Sequence, residues 1–368
     1  MRHLATALTA SASALALAAC GVIDGVGGSG SSASPVKGDD ITVGLLLPDK
    51  DTARFENFDH PVIKKEVAAL THGKGKVVYA NAEASQDQQS RQFQQMVDQK
   101  VDVILVDALD AKAIAPDVRK AKDAGIPVIA YDRLAQGPID AYVSHDNELV
   151  GEIQARAIID ALGSKAASSR IVMMNGDPAD TNYAKFKEGA LGELKDRVRT
   201  AKEYDTAKWS PAVAKANMKN AIKTLGLDNI AAVYAANDGL AGAVIEALKE
   251  AGATKIPPVT GQDANLDAVQ RIITGEQYMT AYKPFAEEAT RAAEIAVYKV
   301  QGRDIQFDAL TRDTVDSPTK KKIPAMLVPV VSLTKANIKD TVIADGVYSV
   351  KDICTSKYAA QCASLGLE

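Results

Sequence analysis

Charged and amide side chains recur in this sequence directly after short apolar runs. After ITVGLLL come Asp49, Arg54 and Phe55; after VIAY come Asp132 and Arg133; after IVMMN come Asp177, Asp180 and Asn182. AAVYAA is followed by Asn237 and Asp238, VTG by Gln262 and Asp263, and MTAY by Lys283. One such cluster is as readily a surface ion pair as a binding group. Repeated after nearly every run, it describes the rim of a polar cleft, because open parallel sheets bind ligands outside the carboxyl ends of their strands. Carboxylates accept hydrogen bonds from adjacent hydroxyls, Arg and Lys donate to hydroxyl and ring oxygens, and Asn does both. That set suits a neutral sugar, with Phe55 and the single tryptophan, Trp209, either covering its C–H faces or packing in a core. An anionic ligand would meet Asp132 and Asp263.

The elements that must position these groups follow from the hydrophobic pattern. Residues 101–133 hold two β-branched apolar runs, VDVILV and PVIA, joined by a stretch of helical spacing over 111–124 that stops at Gly125. Strand, helix and strand within about thirty residues make a parallel βαβ unit. Before it, strands are predicted at 41–47 and 76–80 and helices at 61–70 and 85–100. After Asn147 the rhythm restarts: helices at 148–162, 183–195, 211–225 and 239–252, and strands at 170–174, 231–235 and 259–261. Strands alternating with helices imply a doubly wound α/β fold, here with two sheets of similar size.

The amino terminus carries different information. Residues 1–19 have a positive start (Arg2, His3), an Ala/Leu-rich run and the sequence LAA before Cys20, which reads as an export signal. LAAC resembles the lipobox of bacterial lipoproteins, in which Cys20 becomes the lipid-modified first residue; an ordinary cleaved signal is the alternative. Residues 20–40 are rich in Gly and Ser and read as a flexible tether. The expected location is the outer face of the cytoplasmic membrane, held by a lipid anchor. No later apolar run reaches the roughly twenty residues a membrane span needs.

A formal charge of -4 over 368 residues, without a long basic run, argues against nucleic acid as a partner. With Cys20 set aside, Cys354 and Cys362 remain, and in an exported chain they either form a disulfide or stay free. One continuous helix would hold their Cα atoms about 12 Å apart, beyond the roughly 7 Å limit of a disulfide, so bonding requires the chain to turn between them. The histidines His3, His60, His72 and His145 form no metal-spaced pair, and no nucleophile motif is present, so neither metal, cofactor nor enzymatic activity is expected.

Five segments carry a family resemblance: AYDRLAQGPIDAYVSHDN, NGDPADTNYAKFKEGA, AANDGLAGAVIEAL, TGQDANLDAVQRIITGEQYMTAYKP and ANIKDTVIADGV. In order, from residue 41 to 347, they resemble the bacterial periplasmic D-xylose-binding protein family, and related glucose and multi-sugar receptors share much of the pattern. The resemblance implies the type I periplasmic-binding-protein fold, two doubly wound parallel-sheet lobes joined by a three-strand hinge. It places one lobe at 41–145 plus 282–328 and the other at 146–281 plus 329–368, with crossings near 144–147, 279–284 and 326–331. Carried over by matching segments, the sugar contacts are Arg54, Arg133, Asn182, Asn237, Asp263 and Lys283, with Trp209 as a stacking ring and Asp132 adjacent. Phe55 stands where the pattern has Trp, which leaves a stacking surface without an N–H donor.

The implied function is the substrate-binding component of an ABC sugar importer, a monomer that takes up a monosaccharide, D-xylose first, and delivers it to the permease by lobe closure. A multi-sugar receptor serving transport or a chemotaxis or sensor partner is the alternative. A sugar-responsive regulator of the same fold would carry a helix-turn-helix in place of the signal and tether. Asp132 and Asp263 make a poor glycosidase pair, because cations beside them oppose the protonation a general acid needs.

Overall fold

The computed structural model describes residues 36–367 apart from 51 and 53. The export segment, Cys20 and most of the tether lie outside the described residues. The first sheet has seven strands in the order β10-β11-β5-β4-β3-β1-β2. Its strands are β1 (Thr42–Leu47), β2 (Lys76–Asn81), β3 (Val103–Val106), β4 (Val128–Tyr131), β5 (Ala141–His145), β10 (Asp313–Val315) and β11 (Ile323–Val328). All pairings are parallel except that of β10 with β11. Helices cover both faces, as such a sheet requires. Helices α1 (His60–Leu70) and α9 (Phe285–Val300) pack on one face; α2 (Gln86–Asp98) and α3 (Ala115–Asp123) pack on the other. On α9 the facing residues Ala289, Ala292, Ala293 and Ala296 are fully buried, and their small side chains let the helix lie close to the sheet.

The second lobe is built on β6 (Arg170–Met174), β7 (Arg199–Tyr204) and β8 (Ala232–Ala235), parallel in the order β7-β6-β8; the two sheets are not of the similar size expected, because the next segments join this one only through isolated bridges. Residues 259–261, expected as a strand, make a single bridge, Val233 to Val259, yet they donate and accept on both sides: Thr260 N to Val233 O and Ala281 N to Gly261 O. Pro257 and Pro258 just before them bring no N–H, which shortens the ladder. A second bridge, Gln262 to Ala281, leads to β9 (Thr280–Tyr282), which pairs antiparallel with β12 (Val331–Leu333).

Helices α4 (Asn147–Leu162), α5 (Thr181–Leu194), α6 (Pro211–Leu225), α7 (Asp238–Glu250) and α8 (Leu266–Thr274) flank these strands. Helices α4 and α5 cross closely through Gly151 and Gly189; a Cβ on Gly151 would stand 1.9 Å from Phe186 O, and one on Gly189 2.0 Å from Glu148 O.

Three segments join the lobes side by side. β5 leads into α4 at Asp146, β9 into α9 at Lys283, and β11 into β12 after Val328. They are tied together by Asp146 N to Val328 O at 3.2 Å and by the pairing of Val331 with Tyr282.

The stretch expected as helix over 111–124 becomes regular only at Ala115. Asp110 Oδ1 accepts the N–H groups of Lys112 and Ala113 and makes a turn there first, and Pro116 opens the helix. The carboxyl-terminal segment packs Ile338, Val342, Ile353 and Leu367 beneath α8. Cys354 and Cys362 are disulfide-bonded with Cα atoms 5.9 Å apart, because the chain turns between the short helices Val350–Ile353 and Ala359–Ser364.

Candidate functional site

The strand ends of both lobes converge on one cavity. All nine residues expected from the sequence line it: Arg54, Phe55, Asp132, Arg133, Asn182, Trp209, Asn237, Asp263 and Lys283.

On the first lobe, Arg54 is buried and fully engaged. Its Nε donates to Asp59 Oδ2 at 2.9 Å, Nη1 to Asp132 Oδ2 at 2.6 Å, and Nη2 to Asp59 and Glu288. Phe285 lies over the guanidinium at 4.1 Å from its ring centroid. Burial would raise the Asp132 carboxyl, but Lys283, Arg54 and Arg133 outweigh it and hold the group well below the usual carboxylate range, so it is an ionised acceptor. Asp132 sits at φ 56, and Tyr142 and Ser144 hydroxyls both donate to its carbonyl at 2.8 Å. Phe55 lines the cavity while also belonging to the core beneath the sheet.

The second lobe supplies the other wall. Asp180 caps α5: its Oδ1 accepts Asn182 N at 2.8 Å, while Oδ2 accepts the Trp209 indole N–H at 3.1 Å. The indole ring lies edge-on to Phe186 and directly over Gly176, where a Cβ would stand 2.1 Å from the ring. Asn237 caps α7 through its carbonyl oxygen, accepting Leu240 N at 2.9 Å, which leaves its amide N–H groups for the cavity. Asp263 sits at φ 95 and faces Lys283 Nζ at 3.6 Å.

The lobes also meet directly: Asn182 Nδ2 donates to Asp132 Oδ1 at 2.7 Å, Leu134 N donates to Thr181 Oγ1 at 3.0 Å, and Arg133 Nε forms an ion pair with Asp180 Oδ2 at 3.1 Å. The arrangement is a closed one. Among the described residues three cations (Arg54, Arg133 and Lys283) and three carboxylates (Asp132, Asp180 and Asp263) line the cavity, so their formal charges balance.

This fold and cleft can be compared with known proteins. Residues 43–304 match the periplasmic binding protein domain. The chain belongs to that family. It is 33% identical to the D-xylose-binding periplasmic protein of Escherichia coli (strain K12), over 85% of this chain and 93% of that protein. It is 31% identical to the multiple sugar-binding periplasmic receptor ChvE of Rhizobium radiobacter, over 85% of this chain and 92% of that protein. An ABC transporter solute binding protein from Clostridium phytofermentans, solved with bound β-D-glucose, matches with a TM-score of 0.75 at 25% identity, covering 85% of this chain and 99% of that one.

Not every polar residue at a strand end of this periplasmic binding protein reaches the cavity. Asp49 and Asp177 accept backbone N–H groups and build their own loops. Asp238 is buried behind the wall, accepting from Gln277, Thr280 and Asn265 N, and burial pushes its carboxyl up to about 7. Other residues shape the site without having been singled out as contacts. Thr52, Asp180, Phe186 and Gln262 line the cavity; Asp59, Tyr131 and Glu288 cage Arg54, with His145 next to them. Asp180 and Gln262 carried the same strand-end signal as their neighbours. Glu288 carried none, because it reaches Arg54 from a helix 234 residues away.

Proposed function

We propose that this periplasmic binding protein takes up a neutral monosaccharide, with D-xylose the first candidate, and presents it to the permease of an ABC importer by closing its lobes. The charge-balanced cavity carries the reading. It offers carboxylate acceptors and amide groups from the second lobe, an ionised acceptor and three charged donors from the first, and Trp209 and Phe55 add apolar surfaces for C–H faces. A sugar acid or phosphate would upset that balance, whereas a polyol satisfies both signs. The D-xylose-binding relatives support a pentose.

Arg54, Asp132, Arg133, Asn182, Asn237, Asp263 and Lys283 are the proposed polar contacts and Trp209 and Phe55 the apolar ones. The lobes are assigned as 41–145 plus 282–328 and 146–281 plus 329–368. Sugar is the one object that satisfies both half-sites at once, so binding favours the closed form. A monomer anchored through Cys20 to the outer face of the membrane fits the amino-terminal sequence and the family. The same geometry argues against a glycosidase: the cations around Asp132 keep it ionised, and a general acid must hold a proton.

A second reading, a receptor for several sugars, is favoured by the ChvE likeness and by the glucose-bound relatives. A thermal-shift titration of the domain beginning at residue 36 with D-xylose, D-glucose, D-galactose, L-arabinose and D-ribose, followed by calorimetry, separates the two. Ligand at a hundredfold excess over its Kd stabilises by about 2.7 kcal/mol. A response to xylose alone supports the first reading, a response to several sugars the second, and none at all removes both.

A further inference from the structure

Arg133 stands between two carboxylates that belong to different lobes. Its Nε forms ion pairs with both, 3.1 Å from Asp180 Oδ2 of the second lobe and a longer 3.5 Å from Asp107 Oδ1 of its own lobe. The two carboxylates are unequally provided for. Asp180 also receives the Trp209 indole and Asn182 N. Asp107 is fully buried, and among the described residues neither of its oxygens accepts a hydrogen bond. Burial accordingly pushes its carboxyl well above the usual range, against the pull of Arg133. Its backbone is nevertheless fixed: Asp107 N donates to Leu46 O at 2.9 Å, and Gln89 donates to Asp107 O at 2.8 Å. A fixed carboxylate that accepts no hydrogen bond and holds its guanidinium only at 3.5 Å is poorly served in this arrangement, so its value belongs in another one.

We propose that Asp107 is a positioning residue for Arg133 in the open form, and that Asp107 and Asp180 compete for this one guanidinium as the lobes part and close. The inference rests on the reading that the cleft opens and closes around a sugar. On opening, Asp180 leaves with its lobe, and Arg133 needs a shift of less than about 1 Å to turn its 3.5 Å ion pair with Asp107 into a short, hydrogen-bonded one. The pair holds Arg133 ready for the next ligand and stabilises the open form. Closing exchanges it for Asp180.

The sign of the test follows. Asp107→Asn removes a tight ion pair from the open form and only a longer one, at 3.5 Å, from the closed form, so the open form loses more and closure is favoured. The unliganded variant is expected to show a smaller radius of gyration than the wild-type protein in small-angle scattering. Its sugar Kd is expected to be about 3- to 10-fold lower, with slower release, since apparent affinity scales with the population of the binding form. Asp180→Asn is expected to move both readouts the opposite way. Unchanged shape and affinity in Asp107→Asn, or a shift toward the open form, overturns the proposal. If the wild-type protein binds no monosaccharide, the sugar reading fails, and the opposed scattering shifts of the two unliganded variants still decide the role of Asp107.

Discussion

Asn182 donates its side-chain amide to Asp132 Oδ1 at 2.7 Å and to the Asp132 carbonyl at 3.2 Å, so one residue of the second lobe reads both ends of a residue of the first. Asp132 can accept it because its backbone is turned into the left-handed region, as is that of Asp263 on the opposite wall, with φ values of 56 and 95. Each lobe thus presents one carboxylate from a backbone conformation that most side chains avoid.

Asp132→Ala and Asp263→Ala are therefore expected to lose on two counts. Sugar affinity falls at least tenfold, and stability falls by about 1 kcal/mol, because alanine tolerates positive φ less well than Asp or Asn. Asp263→Asn keeps the stability and loses only affinity, whereas both Asp132 variants also give up the buried ion pair with Arg54 and lose stability on that count. Calorimetry and urea melts on the four proteins separate the effects.

Arg54 is caged by Asp59, Asp132 and Glu288, all buried. Arg54→Met leaves these carboxylates without their cation and is expected to cost about 3 to 5 kcal/mol in denaturant melts. Arg54→Lys restores the charge but not the fork, and should fall between wild type and Arg54→Met.

The same cage gives a pH dependence. Burial, with Asp132 and Asp59 nearby, pushes the Glu288 carboxyl up to about 8, and burial pushes Asp238 up to about 7. A raised folded-state pKa means that the folded protein binds more protons than the unfolded chain between the two values. Their contribution to stability is complete below about pH 4 and is lost as pH rises toward 8. Glu288→Gln is expected to flatten the melting temperature between pH 5 and 8 relative to wild type, and an unaltered slope would refute the assignment.

Trp209 is the single tryptophan of the chain, so intrinsic fluorescence reports on the cavity without labelling. Sugar is expected to change its emission. Gly176→Ala puts a methyl group where the ring lies, and is expected to shift the unliganded spectrum and weaken binding while the protein stays folded.

The disulfide closes a short loop at a sequence separation of 8, beside the carboxyl-terminal cluster and remote from the cavity lining. Replacing both cysteines with serine is expected to lower stability by about 2 kcal/mol and leave sugar affinity unchanged. A loss of affinity would tie the tail to the cleft.

The alternation of apolar runs and helical stretches was enough to read two doubly wound sheets, because strand and helix periods are local properties of the chain. Residue types after each strand were enough to place a polar rim at one edge of the sheets, because a parallel sheet sends those positions there. The polar strand β7, with its partly exposed residues, and the short strands β10 and β12 gave no such pattern, since only their neighbours make them strands. Tertiary structure alone decided which of the strand-end groups touch the cavity and which build loops: Asp180 and Asp238 follow similar strands, yet one lines the site and the other is buried behind it. It also decided that Arg54 is held by Glu288 and that Arg133 is shared between Asp107 and Asp180. Those pairings join residues far apart in sequence across three chain crossings, and the balance of burial against charge that fixes their protonation exists only once the lobes have been brought together.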